Sequence, residues 1–300
     1  MDYASKLSGV FPPCATIFEA GTEDVAYDRI RENLEKYNST DIRGFMPLGT
    51  NGEFRSLTDE ESVKVIQVYA KYRDPSKTIL AGAGRESAKA TIEIIKLYAD
   101  LGIDFASLLP PHYFTSAMTD DALVRYYTSV ADASPVPVLL YNIPKYAGGV
   151  VISTDLIRRV AEHPNIAGMK DTSSEPIVPY IDAVPGGANF YILAGTINKF
   201  YEGLKHGAVG GVLSIADYLP ERCCELQRLH EAGKADEAAS FDVWIRKLSS
   251  NAAGKYGVPG VKAAMDIVGY AGGAPRLPLA PLTDEQKAGL RAALEAEGMV

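Results

Sequence analysis

The residue in this chain best suited to covalent chemistry is a lysine that closes an apolar run. Ile166-Ala167-Gly168-Met169 leads directly into Lys170, and the polar pair Asp171-Thr172 follows. Lysine ordinarily stays in water, so two readings stand side by side. One is a strand-end ammonium snorkelling outward. The other is an amine in a dry pocket, where charge is disfavoured and the neutral form attacks a carbonyl to give a Schiff base. Other apolar runs also end in polar residues: Gly49-Thr50-Asn51-Gly52-Glu53, Tyr141-Asn142-Ile143-Pro144 and Gly195-Thr196. Successive N–H groups in a glycine-bounded turn make a nest for a carboxylate, although the same residues suit an ordinary turn. Tyr141 offers a phenol, or simply a core aromatic with a bonded hydroxyl. A nest, a phenol and a lysine gathered at one end of a fold are far less expected by chance than any one of them alone.

Several other chemistries lack their residues. Four scattered histidines (His112, His163, His206, His230) and three cysteines show no HExxH or paired CxxC spacing, so no metal is expected. Cys223 and Cys224 are adjacent and Cys14 is remote, a poor disulfide framework that suggests reduced thiols and a cytoplasmic protein. Gly82-Ala83-Gly84-Arg85-Glu86-Ser87 resembles half of a dinucleotide fingerprint. It lacks the third glycine, and the nearest spaced acid, Asp104, precedes its strand instead of ending it. Arg85 itself either faces the mouth of the fold, where it would meet an anionic substrate, or is a solvated charge. Thirty basic against 38 acidic residues give a net charge of −8 with no basic stripe, which argues against nucleic acid and anionic membranes as partners. No stretch is long enough to span a bilayer.

The elements that must position these groups alternate. Strands are expected at Val10–Phe18, Gly44–Leu48, Thr78–Ala83, Phe105–Leu109, Val136–Tyr141, Asn165–Met169, Phe190–Ala194 and Val209–Ile215. Helical periods fall between most of them, among them Val25–Tyr37, Thr58–Tyr72 with Thr58 and Glu61 as a capping box, and Ile197–His206. Apolar strands that do not alternate, set between helices, mean a parallel sheet covered on both faces. Eight such units in roughly 225 residues match a (β/α)8 TIM barrel, whose chemistry sits at the C-terminal strand ends. The expected division is residues 1–222 as barrel and 223–300 as a helical extension packed on it, with helices at Lys234–Tyr256, Val261–Tyr270 and Asp284–Glu297.

At these residues the chain resembles the dihydrodipicolinate synthase / N-acetylneuraminate lyase family of class I aldolases. The likeness runs nearly the whole length: Gly9-Val10-Phe11-Pro12-Pro13, Gly49–Glu53, Pro111-His112-Tyr113, Tyr141–Pro144, Gly168-Met169-Lys170-Asp171 and Gly207-Ala208-Val209-Gly210-Gly211-Val212. Asn51–Phe54, Tyr256–Gly260, Met265-Asp266 and Gly269-Tyr270 incline it toward 4-hydroxy-2-oxoglutarate aldolases within that family. The resemblance implies Lys170 as the Schiff-base nucleophile, Tyr141 as proton shuttle and Thr50 as its relay partner. Tyr113 would close a neighbouring subunit's site, so a homo-oligomer, dimer or tetramer, is implied. The Thr50 and Asn51 amides would hold the pyruvate carboxylate, with Gly195 and Val212 lining the imine. An arginine that synthases of the family place two residues after the proline is absent; Lys145 and Tyr146 stand there. Lys145, Arg85 and Thr172 are the candidates for a distal carboxylate.

The implied reaction is cleavage of a 4-hydroxy-2-oxo acid, 4-hydroxy-2-oxoglutarate by preference, to pyruvate and an aldehyde, there glyoxylate. It needs no cofactor beyond the lysine imine. A dihydrodipicolinate synthase, a 2-keto-3-deoxy sugar-acid aldolase or dehydratase, and a non-catalytic 2-oxo acid binding protein remain the alternatives.

Overall fold

The computed structural model describes residues 2–300. Eight strands form one sheet: β1 (Gly9–Phe11), β2 (Gly44–Phe45), β3 (Thr78–Gly82), β4 (Phe105–Leu108), β5 (Val138–Asn142), β6 (Ile166–Asp171), β7 (Tyr191–Ala194) and β8 (Gly210–Val212). Their order is β1-β8-β7-β6-β5-β4-β3-β2, and the paired strands from β3 to β8 run parallel. Arg43 N–H and Met46 N–H donate to the Val10 and Pro12 carbonyls (2.8 and 2.9 Å), so the first and second strands are also joined and the expected (β/α)8 TIM barrel is the result. Every residue of β3, β4, β5 and β6 is buried, as unalternating apolar strands require.

The helices are α1 (Tyr3–Leu7), α2 (Tyr27–Asn38), α3 (Asp59–Tyr72), α4 (Ala88–Asp100), α5 (Asp120–Ala133), α6 (Thr154–Val160), α7 (Val178–Asp182) and α8 (Ile197–His206). After the last strand come α9 (Pro220–Glu231), α10 (Ala235–Asn251), α11 (Gly257–Val268) and α12 (Asp284–Glu295). Short polar side chains start most of the barrel helices. Thr58, Ser87, Thr119 and Ser153 each accept an N–H three residues on, at 3.1, 3.2, 3.3 and 3.0 Å. Each satisfies one of the donors a helix start leaves open. Helix α8 departs from this habit: Thr196 makes no side-chain cap, and no acid stands in its first turn.

Two compact units make up the chain. One comprises the N-terminal residues through Gly9 with Thr78–Val212; the other comprises Val10–Lys77 with Leu213–Val300. The first is filled by aliphatic strands such as Val138-Leu139-Leu140 and by Phe105. The second has an aromatic centre, in which Tyr37 stacks on Tyr270 (4.7 Å between centroids) and Phe45 meets Tyr69 edge-on (5.7 Å).

Some expected bounds were too long. Val10–Phe18 gives only a three-residue strand, because Pro12 and Pro13 carry no N–H for the ladder. Gly44–Leu48 stops at Phe45, ahead of Leu48 in a left-handed turn at φ 59°. Val209–Ile215 stops at Val212 and passes into a 3-10 turn at Ser214–Asp217. Helices α1 and α7 have no counterpart among the expected elements, and α9 falls largely within the stretch expected to be helical from 223 onward. The helix expected at Lys234–Tyr256 breaks at Ala252.

Candidate active site

Lys170 is placed by an irregularity in its own strand. Between β5 and β6 the register runs Val138 to Ile166 and then Leu139 to Gly168, leaving Ala167 as an extra residue. Such a bulge re-aims the side chains beyond it. Here it sets Tyr141 opposite Lys170 and Asn142 opposite Asp171. Glycine is required beside the bulge, since a Cβ on Gly168 would lie 2.0 Å from the Tyr191 carbonyl oxygen.

Neighbouring residues of a strand face opposite ways, so the two cross-strand pairs lie back to back. On one face Lys170, only 4% exposed, holds its Nζ 4.1 Å from the centroid of the buried Tyr141 ring. This is an enclosed amine against an aromatic face, which removes the snorkelling reading. On the other face Asp171 is fully buried and takes bonds from Asn142 Nδ2 (2.9 Å), Ser173 N (3.2 Å) and the Lys199 ammonium of α8. Its backbone carbonyl accepts Gly195 N–H at 2.7 Å.

Thr172 and Gly195 meet directly. The Thr172 hydroxyl is buried without a hydrogen-bond partner, and a Cβ on Gly195 would stand 1.9 Å from it. Val212 is buried at the end of β8. Arg85 and Lys145 have local contacts. Arg85 Nη1 donates to the carbonyls of Ala83 (3.5 Å) and Gly84 (3.2 Å), and exposed Lys145 lies 5.4 Å from the Tyr146 centroid. Tyr113 is 79% exposed and packs edge-on against the exposed Phe114 (5.1 Å between centroids). Glu86 presents that pair by accepting the backbone N–H groups of His112 and Tyr113 at 2.9 and 3.0 Å.

In the second unit, Gly49–Glu53 follows β2 as a turn fixed from several sides. Leu48 and Glu53 both sit at positive φ (59° and 50°), a conformation non-glycine residues keep only where packing enforces it. Buried Asn51 donates through Nδ2 to Asp217 at 2.7 Å, and Thr16 donates to the Gly52 carbonyl at 2.7 Å. The Asn51 side chain is therefore taken up by the fold, while the role expected of it concerns its backbone. Glu53 accepts from the fully buried Lys262 (2.7 Å) and from Arg276 N–H (2.9 Å). Lys262 also donates to the Thr16 carbonyl and lies 4.5 Å from the Phe18 centroid. Burial holds the Lys262 ammonium below its usual value, against the opposing pull of Glu53.

Breaking a buried pair leaves an uncompensated charge and costs about 3–5 kcal/mol. Glu53→Gln should lower stability by that amount in denaturant unfolding. Glu53→Gln/Lys262→Met, with both charges gone, should recover much of it.

The thiols are unsuited to nucleophilic work. All three cysteines are buried and free, and burial first of all raises each, Cys224 to about 12. Among the described residues no three of His, Cys, Asp or Glu stand close enough to hold a metal, and no helix is long and apolar enough to cross a membrane.

The Asp171–Asn142–Lys199 cluster was not anticipated from the sequence. Its one visible sign is a cation in the first turn of α8, where the helix dipole favours an anion.

Comparison with known proteins bears on the family. The model of the dihydrodipicolinate synthetase family matches residues 6–297. A 4-hydroxy-tetrahydrodipicolinate synthase of Methanothrix thermoacetophila is 33% identical, over 94% of this chain and 94% of its own. An L-threo-3-deoxy-hexylosonate aldolase of Aspergillus niger is 30% identical, over 95% of this chain and 93% of its own. A probable mitochondrial 4-hydroxy-2-oxoglutarate aldolase of Emericella nidulans is 29% identical, over 95% and 93%. With the barrel, the strand-end lysine and a family match over almost all of its length, this chain belongs to the dihydrodipicolinate synthetase family, a family of lyases.

Proposed function

We propose that the protein is a Schiff-base aldolase that cleaves a 4-hydroxy-2-oxo acid to pyruvate and an aldehyde, with 4-hydroxy-2-oxoglutarate and glyoxylate as the preferred pair. The observation that carries this reading is the enclosed Lys170 amine at 4.1 Å from the Tyr141 ring, on facing positions of adjacent strands. Lys170 attacks the C2 ketone, and loss of water gives an imine that is protonated to an iminium. The iminium accepts the electron pair of the C3–C4 bond as it breaks. Tyr141 takes the C4 hydroxyl proton and passes it along the relay that the resemblance assigns to Thr50, and the aldehyde leaves. Protonation of the enamine at C3 and hydrolysis of the imine then release pyruvate and free the lysine. The Thr50 and Asn51 amides are proposed to hold the substrate's C1 carboxylate, and Gly195 and Val212 to line the imine. A homo-oligomer in which Tyr113 reaches a neighbouring subunit's site is part of the same proposal.

Both aldolases and a synthase stand among the relatives, so the reaction is argued from residues. Where the family's synthases carry an arginine, this chain has Tyr146, half exposed, and the bidentate grip of a guanidinium on a second carboxylate is missing. A second reading, an aldolase for longer 2-keto-3-deoxy sugar acids, is favoured by the partnerless Thr172 hydroxyl, a group able to bond a substrate hydroxyl.

A panel of 4-hydroxy-2-oxo acids, with released pyruvate measured by mass, tests this. We expect one pyruvate and one glyoxylate per 4-hydroxy-2-oxoglutarate consumed, and only background condensation of pyruvate with aspartate semialdehyde. Condensation faster than cleavage would overturn the aldolase reading. Preference for six-carbon acids would move it to the second.

A further inference from the structure

A lysine in the first turn of α8 is out of place by local rules, because the N-terminus of a helix favours carboxylates and repels cations. Lys199 stands there nonetheless, with no acid in that turn to offset it. Its side chain is largely buried and its ammonium bonds the Asp171 carboxylate and the Ser173 hydroxyl (3.1 Å to the latter). A residue that breaks a local preference needs a tertiary reason, and here that reason lies next to the reactive lysine.

Asp171 follows Lys170 on β6 and is fully buried. It is the centre of a cluster that ties three strand ends together. Asn142, its cross-strand partner on β5, donates to it through Nδ2 at 2.9 Å and accepts Ile152 N–H at 3.0 Å through Oδ1. The Asn142 carbonyl accepts Thr172 N–H at 2.8 Å, and the Asp171 carbonyl accepts Gly195 N–H, just past β7, at 2.7 Å. Tyr180 of α7 is buried alongside. Burial raises its phenol above the usual value, against the opposing bonds of Ser173 and Asn142. Lys199 supplies the positive charge bonded to the Asp171 carboxylate. A buried carboxylate without such a partner draws in water or shifts its backbone to reach it.

We propose that Lys199 is a positioning residue for the Schiff-base lysine: by neutralising Asp171 on the outer face of β6, it fixes the β5 and β6 ends that present Lys170 and Tyr141 to each other on the inner face. The inference rests on the aldolase reading for its consequence in turnover, but not for the placement itself. A misplacement of about 1 Å at a reacting group costs on the order of 10²-fold in rate.

The test compares wild type with Lys199→Met, Asp171→Asn and Asp171→Asn/Lys199→Met by two rates. One is borohydride-trapped pyruvate adduct on Lys170. The other is carbamylation of Lys170 by cyanate in the absence of any substrate, read by peptide mapping. We expect Lys199→Met to slow adduct formation about 10²-fold, with the loss in kcat and little change in KM. Carbamylation should slow in the same order. The double variant should be faster than either single variant, because it removes both charges together. A purely structural role shifts denaturant unfolding in that same order but leaves both rates of the folded variants at the wild-type value. Should Lys199→Met fail to fold, the comparison of Asp171→Asn with the double variant decides the same point. Wild-type rates in Lys199→Met, or a double variant no faster than the singles, overturn the proposal. If wild type forms no pyruvate adduct yet carbamylation follows the expected order, the aldolase reading fails and the positioning role stands.

Discussion

Treated with pyruvate and borohydride, the protein should acquire a reduced pyruvyl group on Lys170 and on no other lysine. Hydride reduces the C=N bond of an imine to a stable secondary amine, so the label marks the nitrogen that attacked the ketone. Lys170→Ala should take up no label, and its turnover should fall to the uncatalysed background. The substitution removes the covalent route through the buried amine that lies against Tyr141. The fold should survive, because truncating an enclosed lysine on β6 leaves the Asn142–Asp171–Lys199 cluster intact. Peptide mapping that places the label on another lysine, or finds none, would remove the mechanism at its first step.

Tyr141→Phe should produce the next largest effect. Removal of the hydroxyl keeps the ring that packs against the Lys170 amine, so the variant should fold and still form the pyruvate imine. What it loses is proton transfer at C4. To pass that proton on, Tyr141 is proposed to work through a hydrogen-bonded chain. Loss of a positioned proton carrier commonly costs about 10²–10⁴-fold. The fall should appear equally in kcat and kcat/KM, as for an interaction made only in the transition state. Thr50→Val should reproduce part of it, and the two losses should combine to less than their product, since both residues are proposed to serve one relay. Near-normal kcat in Tyr141→Phe would reduce the residue to packing.

The repeating framework was legible in the sequence because it is written locally. Thr58, Ser87, Thr119 and Ser153 announce helix starts by side chains that bond within three residues. Runs such as Val138-Leu139-Leu140 announce buried strands. Lys170 stood out because a charged residue closing an apolar run is locally anomalous. The features that escaped depend on partners far along the chain. Helix α7 is five residues long with Pro179 in its first turn, too short to show a period. Glu53 and Lys262 are 209 residues apart and nothing local pairs them, yet together they are a fully buried pair. Lys199 gave a sign, the wrong charge for its helix end, but nothing local names Asp171 as the reason.

The extra residue at Ala167 also decides which chemical identity β6 has. Counting from Val138 and Ile166 without it, Tyr141 would fall opposite Met169 and Asn142 opposite Lys170. The same letters in the same order would then turn a thioether toward the phenol and send the amine outward among helices. A ladder that took Ala167 in as an ordinary paired residue, with every proposed catalytic side chain still present, would therefore yield a strand that is complete in composition and inverted in function. In this barrel the reactive lysine is specified as much by the parity of the chain that precedes it as by its own side chain.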